Sequence, residues 1–415
     1  MSSSSTARQL RALAEWTALA VVVGLVCGSA SALFLALLEL VTRYREAHVQ
    51  LVYLLPAAGL AIGSFYQRFG QPIEAGNNLV IDTIHDNGPE LPLRMAPMVL
   101  VGTVLTHLFG GSAGREGTAV QMGASLADAL SRTFSMFRSR ASRASRGMRP
   151  PLRRALLAAG VAGGFGSVFG TPIAGALFGL EFVVLGRLEY QALWPVLVAA
   201  LVGDLTTRAW GIEHTHYPVP APLDLSVLLL LKWLLFAAAV ALVSVAFVEL
   251  THLLKRQGAR YVPALGLRSC LGGVVIVLMW KLSGTSDYLG LGVPMIVRSF
   301  SDPSLPVYAF AAKLLFTAVT LGSGFLGGEV TPLFFVGAAL GNVLARLLDL
   351  PLELAAGVGM AAMFASAAKT PLALSVMAVE LLGASLFPHA AIVCVLAYVL
   401  SGRSTIYPSQ RLLAR

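Results

Sequence analysis

Apolar runs recur along almost the whole chain, and glycine or proline breaks most of them. Hydrophobic residues make up 56% of the sequence and charged residues only 12%. Ordinary soluble domains are about a quarter charged, so this balance excludes one. A β-barrel would show apolar and polar residues alternating in strands of about ten residues, which this chain lacks. The pattern predicts a polytopic α-helical membrane protein. Its 41 glycines and 21 prolines are many for simple spanning helices. Irregular backbone at membrane depth is tolerated where it is buried in protein or lines a watery cavity, and broken helices around a midplane site are typical of transporters.

The chain divides into a polar leader (1–15), a first membrane half (16–210), an extracytoplasmic connection (211–224), a second membrane half (225–402) and a short basic tail (403–415). The run Trp16 to Val41 contains a small-residue patch, residues 28–32, like a signal-peptidase site. It continues well past that patch, whereas a signal h-region has only about 7–15 residues. A retained first helix is therefore expected, with both termini cytoplasmic in a plasma (inner) membrane. Other apolar stretches are either short of the ~20 residues that span a bilayer upright or longer than one span needs. Stubs and long tilted helices are both expected. The net charge of +9 sits in loops flanking apolar runs, above all a cytoplasmic loop expected from Arg132 to Arg154. That is positive-inside topology and excludes a nucleic-acid role. Cys27, Cys270 and Cys394 are scattered in apolar runs without ligand-like spacing and read as core residues.

Two stretches match each other. Gly111-Ser112-Ala113-Gly114-Arg115-Glu116-Gly117-Thr118 lies over Gly324-Phe325-Leu326-Gly327-Gly328-Glu329-Val330-Thr331, with Glu116 and Glu329 in register at an offset of 213 (329 − 116). A second pair follows in the same order. Thr171-Pro172 with Glu181 matches Thr370-Pro371 with Glu380, at an offset of 199 (380 − 181). The longer arginine-rich segment of the first half accounts for the difference. Such order implies an internal duplication, often inverted in transporters, with the site between the halves.

Glycine turns that feed helices aim N–H groups and positive dipole ends at one spot, which suits an anion. A glutamate there competes with that anion: ionised, it occupies the site, and protonated, it leaves. The same residue can instead cap a helix N-terminus. Both readings of Glu116, gate and cap, stand at this point.

Gly114-Arg115-Glu116-Gly117-Thr118 resembles the GREGP signature of the CLC chloride channel and transporter family. The stretch from Phe169 to Glu181 resembles that family's asparagine/threonine-proline segment. Gly328-Glu329-Val330-Thr331-Pro332 stands where most members have GxFxP, and Tyr407 is placed like the family's late pore tyrosine. The resemblance covers nearly the whole chain. It implies the CLC fold, an all-α membrane protein of two inverted-topology repeats with tilted and broken helices, and a homodimer with one pore per subunit.

The departures narrow the resemblance. The usual GSGIP stretch, whose serine binds chloride, is Gly76-Asn77-Asn78-Leu79-Val80. The signature proline is Thr118, and the phenylalanine of GxFxP is Glu329 or Val330, depending on alignment. The internal proton-transfer glutamate of chloride/proton exchangers aligns with Phe182, one residue after Glu181. These changes are similar to the fluoride-exporting CLC-F branch, and to its members with asparagine rather than methionine in the first motif. The resemblance implies fluoride and protons as the transported species, with Glu116 the gate and proton carrier. It implies an anion path along Gly76, Asn77, Asn78, Gly114, Arg115, Gly117, Thr118, Glu329, Val330, Thr331, Phe335 and Tyr407, with no metal and no cofactor.

Elementary chemistry fits that path. Fluoride is small and strongly hydrated, so its lost water must be replaced by good donors. An asparagine amide offers two donors where a serine offers one, and Thr331 and Tyr407 add hydroxyls. Glu329 donates only when protonated. The edge of the Phe335 ring is weakly positive, although Phe334 and Phe335 also suit a helix core. Of the asparagines, Asn78 is the one expected to face the pore, and a turn or cap pair is the alternative for both.

Asp82, His85 and Asp86 share a helix spacing that suggests a metal, but Asn87-Gly88-Pro89 follows them, so a surface loop is expected. Glu181 and Glu380 suit a structural role as much as a catalytic one. Glu249, His252 and Lys255 read as a helix end at the interface. The alternatives are a chloride channel or exchanger of the same fold, a passive fluoride channel, and a membrane-embedded enzyme. The last lacks any HExxH.

Overall fold

A computed structural model describes residues 3–86, 88, 90–141, 150–185 and 188–412, and it is helical nearly throughout. The first eight helices are α1 (Ser3–Ala47), α2 (Leu55–Phe69), α3 (Asn77–Asp86), α4 (Met95–Leu108), α5 (Glu116–Ala141), α6 (Pro150–Phe169), α7 (Pro172–Glu181) and α8 (Leu193–Ala209). The next eight repeat that succession. They are α9 (Val227–Tyr261), α10 (Leu265–Ser283), α11 (Val293–Arg298), α12 (Ala309–Gly322), α13 (Val330–Leu348), α14 (Leu352–Ala368), α15 (Pro371–Leu382) and α16 (Phe387–Leu400). Among the described residues, six helical stretches are long and apolar enough to cross a membrane, in α1, α2, α8, α9, α10 and α13. Helices α4, α7, α12, α14, α15 and α16 are apolar but shorter, and they leave helix ends inside the protein.

Local sequence sets those ends. The apolar run 155–185 breaks between α6 and α7, where Gly170 takes φ +73° and Pro172 opens the next helix. In the second half Lys369 stands in the same left-handed conformation, φ +61°, and Pro371 opens α15. Proline suits the first turn because its missing N–H would have no partner there.

Packing repeats as well. A Cβ on Gly123 of α5 would lie 2.2 Å from the Gly160 carbonyl of α6, and one on Gly337 of α13 would lie 2.2 Å from the Gly359 carbonyl of α14. Each pair of helices crosses with backbones touching, as small residues allow where lipid supplies no hydrophobic drive. Gly160→Ala places a methyl 2.5 Å from the Gly123 carbonyl. It is expected to cost about 1–3 kcal/mol, the usual penalty of overpacking, read as a lower Tm in detergent.

Glu181 and Glu380 join the halves. The Glu181 carboxylate, at the end of α7, accepts the Leu372 and Ala373 N–H groups at the start of α15, at 3.2 and 2.9 Å. Glu380, near the end of α15, accepts the Ile173 and Ala174 N–H groups at the start of α7, at 2.9 and 2.7 Å. Each half thus satisfies the orphan N–H groups of the other with a negative charge at a positive dipole end. Their role here is structural.

Several expectations need correction. The leader is helical from Ser3, where α1 begins, and the stretch apolar enough to cross a membrane begins at Leu13. The arginine-rich segment 132–154 is mostly helix: α5 continues to Ala141 and α6 begins at Pro150. Arg143, Arg146 and Arg149 lie outside the described residues, as do the side chains of Arg138 and Arg140. Arg132 and Arg153 hold the buried Asp128 carboxylate at 2.7 Å each, so they are not simply a surface charge. Asp82, His85 and Asp86 belong to α3 rather than to a loop. Asp82 accepts from the Ser409 hydroxyl at 3.0 Å, and a His85 ring nitrogen meets the Val183 carbonyl at 2.8 Å.

Candidate functional site

The two matched glycine turns touch. The Gly114 N–H donates to the Gly328 carbonyl at 2.6 Å, and the Gly328 N–H donates to the Gly114 carbonyl at 2.8 Å. This single antiparallel bridge brings the start of α5 beside the start of α13. Only glycine permits the approach, since a Cβ on Gly328 would stand 2.7 Å from the Gly117 nitrogen. The duplication visible in the sequence therefore closes on itself at one point in space.

Glu116 sits at that point, fully buried. Its carboxylate accepts the Thr331 hydroxyl at 2.5 Å and the Thr331 N–H at 3.1 Å. The Arg115 N–H adds a third bond at 3.1 Å, and Arg115 Nε lies 3.5 Å away. The cap reading holds, but the helix that is capped lies in the other half. The glutamate that opens α5 occupies the N-terminal anion position of α13, the helix of the other half. Its charge there does what a small bound anion would do.

A cavity of about 520 Å³ leads to this place. Gly76, Asn77, Asn78, Thr118, Glu329 and Tyr407 line it, all of them expected from the sequence. Gly114, Arg115, Gly117, Val330 and Thr331 are not on its wall; Gly114, Arg115, Val330 and Thr331 belong to the turns that carry Glu116 and its donors, and Gly117 follows Glu116. Asn77 is buried, its carbonyl oxygen has no hydrogen-bond partner, and its amide nitrogen would lie 3.2 Å from a Cβ on Gly117. The Asn78 oxygen accepts the Ser409 N–H at 3.0 Å. Asn77, not Asn78, therefore has its amide against the Glu116 turn. The Thr118 and Thr103 hydroxyls bond to each other at 2.7 Å. The Tyr407 ring packs edge-on against Phe182 at 4.9 Å, so an apolar ring stands where the resemblance implied an internal glutamate in exchangers.

Phe335 is placed differently from expectation. It is fully buried outside the cavity lining, against Gly292 and Tyr288, with the Lys313 ammonium 5.4 Å from its ring centre. Conversely, Thr103, Gln121, Thr251, His252, Lys255 and Arg256 line the cavity although the sequence reading did not select them. Gln121 carried a faint signal, as a lone amide in the run after Glu116. On the other flank of Glu116, Tyr217 of the 211–224 connection is within electrostatic reach of Arg115 and Glu116. Burial pushes its hydroxyl up to about 12, against the pull of Arg115, so it remains a neutral phenol.

Comparison with known proteins agrees with this geometry. Residues 58–402 match the voltage gated chloride channel family. A protein of Pseudomonas syringae pv. tomato described as a chloride/fluoride channel protein is 48% identical over 96% of this chain and 87% of its own. An H(+)/Cl(-) exchange transporter of Vibrio vulnificus is 28% identical over 88% of this chain and 81% of its own. Among solved structures, a CLC-type fluoride/proton antiporter superposes with a TM-score of 0.90 at 36% identity, covering 96% of this chain and 98% of the other. The chain belongs to the voltage gated chloride channel family, and it has the CLC fold with its two inverted halves.

Proposed function

We propose that this protein is a proton-coupled fluoride exporter, a fluoride/proton antiporter that confers fluoride resistance. The observation that carries the reading is Glu116 seated on the Thr331 donors at the end of a cavity lined by Asn77, Glu329 and Tyr407. Protonation removes the charge that holds Glu116 on Thr331. The carboxyl then leaves, and fluoride takes the freed donors. When Glu116 releases its proton to the other side it returns and closes the path. Proton entry down its gradient thereby drives fluoride out. HF crosses membranes and dissociates in an alkaline cytoplasm, so such an exporter answers a steady influx.

The cavity faces the cytoplasm in this account, because it opens beside Lys255 and Arg256 near the end of α9, as the positive-inside rule favours. Both termini then lie on the cytoplasmic side of the plasma membrane. We infer a homodimer with one pore per subunit, as the family resemblance implies. A second reading, a passive fluoride channel, is favoured by the description of the 48%-identical relative as a channel.

Selectivity tests the substrate. Wild-type protein in vesicles loaded with equal fluoride and chloride is expected to release fluoride first, followed by ion-selective electrodes. Asn77→Ser removes one of two amide donors, and a hydrogen bond to a charged group contributes about 1.5–3 kcal/mol. The fluoride/chloride ratio should fall about tenfold or more. Asn78→Ser should change it little, because Ser409 already engages that side chain. Chloride release by the wild type at the fluoride rate would overturn the reading.

A further inference from the structure

A second cavity, of about 310 Å³, lies between the end of α1 and the segment that joins α10 to α11. It shares no wall residue with the one that leads to Glu116. The charged residues of its wall are Arg45, Glu46 and Asp287. Arg45 is only 7% exposed. Its Nη2 reaches Glu46 at 3.3 Å, and its Nη1 has no hydrogen-bond partner. Gly290, at φ +54°, leaves the room that Nη1 takes, since a Cβ there would collide with it. On the Gly290 carbonyl sits a second cation. The fully buried Lys313 ammonium donates to the Gly290 and Tyr288 carbonyls at 2.6 and 3.1 Å. Among the described residues no carboxylate is within ion-pair distance of Lys313. A buried cation with a spare donor, beside another cation, calls for a negative partner.

The cavity lies at the level of lipid headgroups. Three membrane spans end around it: that of α1 at Ala47, the one that starts at Val49, and that of α10 at Ser283. Tyr44 and Tyr53 are exposed there. The Trp280 indole packs edge-on against Tyr53 at 5.4 Å and donates to the hydroxyl of Ser286, a wall residue, at 3.0 Å. Such an aromatic girdle marks a membrane–water interface. Because α10 follows α9 directly and is long enough to cross the membrane, this interface is opposite the Lys255 end of α9.

We propose that this cavity holds the headgroup of one phospholipid that carries a primary amine, a phosphoethanolamine. Its phosphate diester accepts from the Arg45 guanidinium, whose planar fork suits two oxygens. Its ammonium meets the Glu46 and Asp287 carboxylates, which would repel an anion that has no amine. The bilayer itself delivers such a headgroup at this depth, and basic pockets between membrane helices are known to take them.

The test is native mass spectrometry of the delipidated full-length protein, titrated with phosphatidylethanolamine, phosphatidylcholine and phosphatidylglycerol of equal chain length. The wild type should bind one phosphatidylethanolamine per subunit about tenfold more tightly than either other lipid, the effect of one hydrogen bond to a charged group. Arg45→Gln should weaken that binding about tenfold. Glu46→Gln combined with Asp287→Asn should bring phosphatidylethanolamine down to the level of phosphatidylcholine. Equal affinity of the wild type for all three headgroups would overturn the site, and that arm needs no variant. So would unchanged binding in an Arg45→Gln protein that elutes like the wild type on size exclusion. Displacement of the lipid by excess inorganic phosphate or sodium fluoride would reveal a site for free anions and overturn the lipid assignment.

Discussion

Glu116→Gln is expected to reduce proton movement to background while fluoride still crosses. The glutamine keeps the shape of the carboxyl and an oxygen for the Thr331 N–H, so the turn at Gly114 and Gly328 is undisturbed. It loses the negative charge that makes the bonds from Thr331 and the contact with Arg115 charge-assisted, and such bonds are roughly twice as strong as neutral ones. A neutral side chain competes poorly with an anion for the N-terminus of α13. It also has no proton to carry at any pH. Flux should then follow the fluoride gradient alone and stop responding to a pH gradient. Parallel recordings by a fluoride electrode and a pH electrode would show this. Sustained proton uptake in the variant would remove Glu116 from the coupling step.

Glu329→Ala is expected to cut fluoride flux about tenfold, the effect of losing roughly 1.4 kcal/mol of one hydrogen bond to an anion. The side chain is half-buried on the cavity wall, directly before α13, and makes no capping bond to that helix. Its removal should therefore leave the fold intact, as a size-exclusion profile would show. Glu329→Gln separates two ways in which the carboxyl can act. A glutamine always donates, so near-normal flux would identify the donor form as the working one. Equal loss in both variants would show that the carboxyl must also ionise. Wild-type flux in Glu329→Ala would leave Glu329 with a structural role only.

Much of this architecture was legible because lipid punishes exceptions. A glutamate in a glycine turn between apolar runs needs a reason, and the repeat of that pattern 213 residues later pointed to the meeting of Gly114 with Gly328. What the spacing did not show was direction. Glu181 and Glu380 matched in sequence, but only the antiparallel packing of α7 on α15 reveals that each caps the other's helix. Segment 132–154 was misjudged for a related reason: arginine density marks a membrane face, yet arginine and alanine are good helix formers, so α5 runs on into it as far as Ala141. Lys255 was set aside with His252 because a cation near a helix end usually snorkels to the interface. Here the side of α9 that carries them borders the cavity. Phe335 shows the opposite error. One helical turn beyond Thr331, it points away from the cavity lining and into the Tyr288 to Gly292 segment.

The central claim is that protons and fluoride exchange on one carboxylate. The direct measurement places equal fluoride on both sides of wild-type proteoliposomes, imposes a pH difference alone, and follows fluoride with an electrode. Exchange through Glu116 predicts that fluoride moves uphill, toward the more acidic side, and stops doing so in Glu116→Gln. A wild type that releases fluoride only down its own gradient, indifferent to the pH difference, would contradict the claim and make the protein a channel gated by Glu116.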